Sequence, residues 1–405
     1  MPTEKIFNDN FDGEIEKFYW SPGRVNIIGE HSDYHEGYVM PAAIDLGITW
    51  AVSKDNFLVS GYSEKFDEIA QFDIRKSKRT VYEWMLYLQG VVEVLKKRKK
   101  KFEGVNFAIH STIPIGSGLS SSSSLATGFA YLLNDIYKLG LNRVEIAKVG
   151  CEAEWWYGTT GGIMDQFCIA NGKAGKAVLL DCRTLKHEYI NIPKDIEIVV
   201  FETTIRHKQI DSPFDTRKRQ AKEVLEIASK YFKGKKLRAL RDLTIEMLDE
   251  IKPKLVEKFG EQEGDLIYRR AKHPITENTR VMQMKEALNN DDYKSIGKIL
   301  YECHKSLRDD YEVSCKELDV AVEIGKEIEG IIGSRMIGGG FGGCTVNLVK
   351  RGTAQHFAGE LEESFRKKTG IKGNAYICDI EDGTKEINPV KSAKGGAGQF
   401  NGVKK

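Results

Sequence analysis

A chain of 405 residues exceeds the size at which one hydrophobic core usually stops growing, so two domains are expected, each able to bury a core. With 41% apolar residues, 30% charged residues and a formal net charge of +2, the composition excludes a disordered or membrane-embedded chain. It also gives no electrostatic reason to expect nucleic acid or an acidic surface as partner.

The first residues, Met1 to Glu16, mix Lys, Asp, Glu and Asn without an apolar run, so they read as neither a secretory signal nor a membrane span. The protein is expected in the cytoplasm, with no membrane partner. Seven scattered cysteines without a CxxC pair argue against a disulfide framework or a zinc site and read as reduced, mostly buried thiols. Short segments rich in β-branched and aromatic residues, bounded by Gly, Pro or charges, predict strands at Phe18–Trp20, Tyr38–Met40, Ile48–Val52 and Val105–His110.

The first strand leads into Arg24-Val-Asn-Ile-Ile-Gly-Glu30-His31-Ser-Asp33-Tyr34, which bends at Gly29 and brings four strongly polar side chains together. Carboxylates accept from vicinal hydroxyls and imidazole can donate or accept, so the cluster suits a polyhydroxyl ligand. A solvated surface turn is the plain alternative. A metal site is disfavoured because one His beside two carboxylates fits no familiar zinc spacing.

Pro114-Ile-Gly-Ser-Gly-Leu-Ser-Ser-Ser-Ser-Ser-Leu125 lies between a strand and a helix whose apolar face is Leu125, Phe129, Leu132, Leu133 and Ile136, ending near Gly140. Backbone N–H groups and the helix dipole would converge there on an anion, with Gly116 and Gly118 allowing close approach and serine hydroxyls donating to phosphate or ligating Mg²⁺. An isolated serine run would read as a linker, but a linker does not run from a strand through Pro-x-Gly-x-Gly into an amphipathic helix. The Walker pattern is absent.

Downstream, Glu154 precedes Trp155, Trp156 and Tyr157, an aromatic triplet that reads as packing rather than base stacking. Gly161-Gly-Ile-Met-Asp165-Gln166 carries an isolated acid among small and apolar residues, which is either buried and paired or functional. The composition shifts near 190–195. From Ile196–Phe201, a strand, the chain becomes helical and charged, with helices predicted at 216–232, 277–289, 292–308 and 316–328. Strands return at Cys344–Val349 and Ala375–Ile380, around a helix over 354–368 with Thr353 as N-cap and Gly370 as stop. This order favours an α+β fold. Gly338-Gly-Gly-Phe-Gly-Gly343 contains GxGxxG, but a strand follows it and no βαβ unit surrounds it, so a tight turn near a ligand or between domains is the better reading than a dinucleotide site. Residues 389–405 are expected to form a frayed tail.

The segments Gly23–Tyr34, Pro114–Ser122, Gly162–Gln166 and Gly338–Cys344 together resemble the GHMP small-molecule kinases, and among them the galactokinases; the likeness spans roughly residues 18–382. The resemblance implies a two-domain α+β fold with an N-terminal α/β domain (1–194), a ferredoxin-like C-terminal domain (195–388) and the active site between them. It implies ATP as co-substrate with Mg²⁺, a sugar phosphorylated at its anomeric hydroxyl, and a monomer. Motif by motif, Arg24 and Asp165 would flank the reacting hydroxyl, with Asp165 as proton acceptor. Glu30, His31, Asp33 and Gly162 would hold the sugar. Gly116, Ser117, Gly118, Leu119, Ser120, Ser121 and Ser122 would wrap the ATP phosphates, Trp84 would lie near adenine, and Ser121 with Glu154 would hold Mg²⁺. Two departures bear on the sugar. Phe214 stands where galactokinases usually place a sugar-contacting Tyr, and the 158–162 loop is short with Gly161 where Cys is common. Both features resemble the N-acetylgalactosamine kinase branch, whereas His31–Met40 is nearer the galactokinase pattern. A non-catalytic sugar sensor is the rival from another class, disfavoured by the full-length phosphate loop and by the presence of both Arg24 and Asp165.

Overall fold

The computed structural model describes residues 1–388 apart from Ser77, Ile115 and 207–212, and without the side chains of Arg206, Pro213 and Phe214. The expected tail 389–405 and the expected sugar contact of Phe214 therefore lie outside the described residues.

The first half runs α1 (Pro2–Asn10), β1 (Lys17–Asn26), β2 (Tyr38–Val39), β3 (Pro41–Asp55), β4 (Leu58–Ser63), β5 (Glu68–Asp73), α2 (Met85–Lys97), β6 (Gly104–Ser111), α3 (Ser121–Ile136), α4 (Arg143–Tyr157), α5 (Met164–Asn171), β7 (Lys176–Asp181) and β8 (His187–Asn191). The second continues with β9 (Ile196–Arg206), α6 (Pro213–Tyr231), α7 (Ile245–Phe259), α8 (Glu261–Asn289), α9 (Tyr293–Asp309), α10 (Lys316–Glu327), β10 (Ile331–Ile337), β11 (Gly342–Lys350), α11 (Ala354–Thr369), β12 (Asn374–Cys378) and β13 (Lys385–Ile387).

A six-stranded sheet of order β13-β1-β3-β6-β4-β5 forms the first unit, antiparallel except for the parallel pair β4 and β6. That pair needs a crossover, and β5 with α2 supplies it. Helix α3 buries the face predicted from its period: Leu125, Phe129, Leu132, Leu133 and Ile136 all belong to the main core. The next helix starts with a capping box, the Asn142 side chain accepting from the Glu145 N–H while the Glu145 carboxylate accepts from the Asn142 N–H. A small three-stranded sheet, β2-β7-β8, completes this half.

The second unit is an antiparallel sheet of order β10-β11-β9-β12, which in sequence rank is 2-3-1-4. That is the ferredoxin-like arrangement. Phe201, Phe357, Leu361 and Phe365 form a separate core between this sheet and α11. Between β9 and β10 the chain inserts a helical layer in which α6, α7 and α8 bury a cluster of their own, including Val224, Leu248, Ile251 and Ile267.

The division at 194/195 is not clean. Strand β13, expected in the second domain, pairs with β1 of the first sheet in the register Phe18↔Ile387 to Trp20↔Lys385. Without it β1 would be an exposed edge. Helix α1 packs nearby through the fully buried Phe7. All seven cysteines are free, five of them buried, and no helix among the described residues is long and apolar enough to cross a membrane.

Candidate active site

Arg24 leaves the end of β1 with only 4% of its surface exposed. Its guanidinium forks onto Asp165, Nε to Oδ1 at 2.7 Å and Nη2 to Oδ2 at 2.7 Å, while Nη1 donates to the Gly118 carbonyl at 2.6 Å. A bidentate fork fixes both planes, so three distant segments meet in one defined geometry. Asp165 lies in the first turn of α5, and its Oδ2 also accepts from the Ser120 hydroxyl. Ser120 is the N-cap of α3 and adopts a left-handed conformation, φ 63°. The charged pair therefore sits where the phosphate loop turns into its helix.

Around this pair opens a cavity of about 420 Å³ lined by Arg24, Glu30, His31, Asp33, Tyr34, Glu154, the 158–162 loop, Met164, Asp165, Gln166, Gly338 and Gly339. Both halves of the chain contribute. Glu30 is buried and bonded to the fully buried Arg335 of β10, Nη1 to Oε2 at 2.9 Å. Burial raises its carboxyl above the usual range, opposed by Arg335 and Arg24. Asp33 accepts from the Tyr34 N–H at 2.9 Å and the Met164 N–H at 3.4 Å. Burial, and then the Asp165 charge, lift its pKa to about 6. Gly162 is required by this contact: a Cβ there would stand 2.2 Å from the Asp33 carboxyl. His31 Nδ1 lies 2.7 Å from the Tyr34 hydroxyl, and burial among neighbouring cationic and imidazole groups holds its pKa well below the usual value.

The phosphate loop and the second glycine cluster pack face to face. A Cβ on Gly338 would approach the Gly118 carbonyl to 3.2 Å, and a smaller space of about 200 Å³ between the two is lined by Gly116, Gly118, Ile205 and residues 337–343 except Gly338. This is the tight inter-unit turn anticipated for Gly338–Gly343. Glu154, at the end of α4, accepts from the Ser123 hydroxyl at 2.6 Å. Burial raises its pKa to about 7, opposed by bonds from Ser123, Gln166 and Ser122.

The sequence-predicted residues Arg24, Glu30, His31, Asp33, Glu154, Gly162 and Asp165 all line one cavity. Gly116 and Gly118 line the adjoining space, while Ser117 spends its hydroxyl on the Pro114 carbonyl at 2.8 Å and Leu119 is fully buried. Ser123, two positions past Ser121, donates to Glu154 at 2.6 Å, and Ser122 bonds it as well. Trp84 lines neither space: its ring packs against Phe66 and Phe107 and its indole N–H donates to Glu68 at 2.8 Å. Sequence reasoning missed Arg335, whose only signal is a lone cation inside the apolar strand Ile331–Ile337, and Tyr311, whose hydroxyl stands 2.8 Å from that of Tyr34. It also missed the start of α6, where Asp215 accepts from Thr160 at 2.7 Å and Lys218 donates to the Thr160 carbonyl.

Comparison with known proteins converges on one family. The chain matches the galactokinase galactose-binding signature over residues 5–54, the GHMP kinases N terminal domain over 86–173 and the GHMP kinases C terminal over 284–367. It is 38% identical to a galactokinase of Clostridium acetobutylicum, across 96% of this chain and 99% of that one, and 35% identical to a galactokinase of Thermotoga neapolitana, across 91% and 99%. Its fold superposes on the crystal structure of Lactococcus lactis galactokinase complexed with galactose with a TM-score of 0.88 at 31% identity, covering 95% of this chain and 99% of that one. The mevalonate kinase of Methanococcus jannaschii, at 19% identity and a TM-score of 0.61, shares the fold. By these likenesses and by its two-unit architecture, the chain belongs to the galactokinase family of the GHMP kinases.

Proposed function

We propose that the protein transfers the γ-phosphoryl group of ATP to the anomeric hydroxyl of galactose, giving galactose 1-phosphate and ADP. The observation that carries this reading is the Asp165 carboxylate, shared between Arg24 and Ser120 at the mouth of the serine-rich helix and facing the Glu30–Asp33 cluster. Phosphoryl transfer needs alignment of nucleophile and phosphorus and neutralisation of charge more than covalent chemistry. Asp165 accepts the proton of the anomeric hydroxyl as the O–P bond forms. Arg24 holds the carboxylate in place and offers positive charge to the transferring group. Glu30, His31 and Asp33 take the remaining hydroxyls, with Gly162 leaving room for the ring. Gly116 to Ser122 wrap the phosphates, with α3 directing its N-terminus at them. The unit before residue 195 thus carries both ligand loops, and the unit from 195 onward closes the cleft through Gly338 and Gly339.

Mg²⁺ fits the residues near the phosphate loop: the half-buried carboxyl of Glu154 stands beside serine hydroxyls, all hard oxygen donors, and a cation bound there would favour its ionised form. Glu154 with a serine of the 121–123 run would hold it, and when bound it would offset phosphate charge. No group of three or more metal-binding side chains occurs among the described residues. The protein is read as a cytoplasmic monomer.

Coupled ADP release with galactose, N-acetylgalactosamine, glucose and arabinose tests the assignment. Galactose is expected to give the highest kcat/KM. Asp165→Asn should lower kcat by about 10²–10⁴-fold while galactose still binds, and wild-type turnover in that variant would remove Asp165 from the mechanism.

A further inference from the structure

The loop from Gly29 to Gly37 has little regular structure of its own, only a short 3-10 turn at Asp33–His35, and two of its residues, His31 and Glu36, have φ of 58°. Turn bonds within it serve its middle, the Gly37 N–H donating to the Ser32 carbonyl at 2.8 Å and the Glu36 N–H to the Asp33 carbonyl at 3.1 Å, and the rest must be met from elsewhere. Its entry and exit are met from α8, at Gly29, Glu30 and Tyr38. His273 Nε2 lies 3.0 Å from the Glu30 carbonyl, and since a carbonyl only accepts, Nε2 donates. Glu277 Oε1 accepts from the Gly29 N–H at 2.8 Å, and Asn278 Oδ1 accepts from the Tyr38 N–H at 2.8 Å. His273 and Glu277 lie one turn apart on the helix and Asn278 follows directly, so the three reach successive parts of the chain from Gly29 to Tyr38.

Each clamp residue is itself fixed. Glu277 is fully buried, and its second oxygen accepts from Arg280 Nε at 2.6 Å. Asn278 donates to the Pro274 carbonyl at 2.8 Å, and His273 Nδ1 lies 3.0 Å from the Ser306 hydroxyl. The helix carrying them is also held on both sides, Ile267, Ala271 and Ile275 packing into the helical cluster and Val281, Met284 and Leu288 into the main core. A helix anchored in two cores thus grips the loop that joins β1 to β2.

We infer that His273, Glu277 and Asn278 are positioning residues for the sugar, setting the backbone of residues 29–38 so that the side chains of Glu30, His31 and Asp33 present one fixed array of acceptors and donors. This rests on the assignment of those three loop residues to the sugar made above. None of the three clamp residues lines the cavity, and their bonds go to main-chain groups at Gly29, Glu30 and Tyr38. Their effect should therefore fall on galactose recognition and not on ATP.

The test uses the full-length protein with Asn278→Ala, because Asn278 is only half-buried, and Asn278→Asp, which keeps an oxygen for the Tyr38 N–H. Asn278→Ala is expected to raise KM for galactose about 3- to 10-fold, the loss of one neutral hydrogen bond, while KM for ATP is unchanged. Asn278→Asp is expected to restore most of the galactose KM. In the ligand-free protein, amide hydrogen exchange at Tyr38 should accelerate in Asn278→Ala. A galactose KM unchanged in Asn278→Ala, or galactose and ATP KM rising together with a falling Tm, would overturn the inference. Asp33→Ala run in parallel separates the two readings: a raised galactose KM there with none in Asn278→Ala sinks the clamp alone, whereas wild-type galactose KM in Asp33→Ala sinks the sugar assignment.

Discussion

At the scale of single residues, the site is built from charges taken out of water and then paired. Asp33 has the clearest consequence. Its pKa near 6 lies above the ordinary carboxyl value of 3.8, so between those values the folded protein binds a proton that the unfolded chain has already released. Stability contributed by this group is complete below about pH 4 and is lost as pH rises through 6. On the proposed assignment of Asp33 to the sugar, binding runs the other way, because both oxygens of the ionised carboxylate accept from hydroxyls and the acid gives up one of them. KM for galactose should therefore rise as pH falls below about 6, and Asp33→Asn should raise KM at neutral pH while flattening that dependence. A pH series of galactose KM in the two proteins checks it. Arg335 makes a second case. It donates to Glu30, to the Ile27 carbonyl at 3.0 Å, to the Met336 carbonyl at 2.6 Å and to the Asn26 carbonyl, all buried. Arg335→Met would leave Glu30 buried beside no partner on that side, at a cost of about 3–5 kcal/mol, readable by urea denaturation. This residue was hard to read in advance, because a lone charge inside an apolar strand has its meaning only once the opposing loop, some three hundred positions earlier, is known.

At the scale of elements, the informative parts were those where local rules and tertiary packing agree. The period of α3, its glycine-rich approach and the apolar neighbours of Asp165 were legible because helix period, turn chemistry and burial all pointed one way. Helix α1 was not, since its single buried aromatic, Phe7, sits among charges and makes no period, and β10 and β13 were not, since each is short and takes its place from a partner strand. Which serines face Glu154 could not be chosen by sequence either. All five serines look alike until the first turn of α3 is oriented against α4. The second glycine cluster is where a local rule predicts most. Gly340 has φ of 80°, and a Cβ there would lie 2.1 Å from the Val313 carbonyl. Gly340→Ala must move the turn that packs on the phosphate loop, so a destabilisation of at least about 1–2 kcal/mol is expected together with a higher KM for ATP. Thermal denaturation and ATP titrations of initial rate measure both.

At the scale of the whole molecule, the site depends on the chain returning to its first sheet at the end. Residues 380–387 do more than add β13. The Thr384 N–H and hydroxyl both donate to the Ile169 carbonyl, at 2.7 and 3.0 Å, the Gly383 N–H donates to the Gly172 carbonyl at 2.9 Å, and Arg143 of α4 donates to the carbonyls of Ala170 and Thr384. All but the Arg143–Thr384 bond fall on the C-terminal end of α5, the eight-residue helix whose first turn holds Asp165. A helix so short has little stability of its own, and its orientation comes from what it packs against. The last strand therefore belongs functionally to the first unit, although it is reached only after the second has been traversed. This argues that the two units cannot be separated at 194/195 and each remain competent. Truncation after Asp379 should lower Tm and reduce kcat, because it releases α5 as well as exposing β1. Truncation after Asn388 keeps every one of these bonds and isolates their contribution. If the shorter protein retained the kcat and Tm of the longer one, the return of the chain would be ornamental and Asp165 would be held by Arg24 and Ser120 without it.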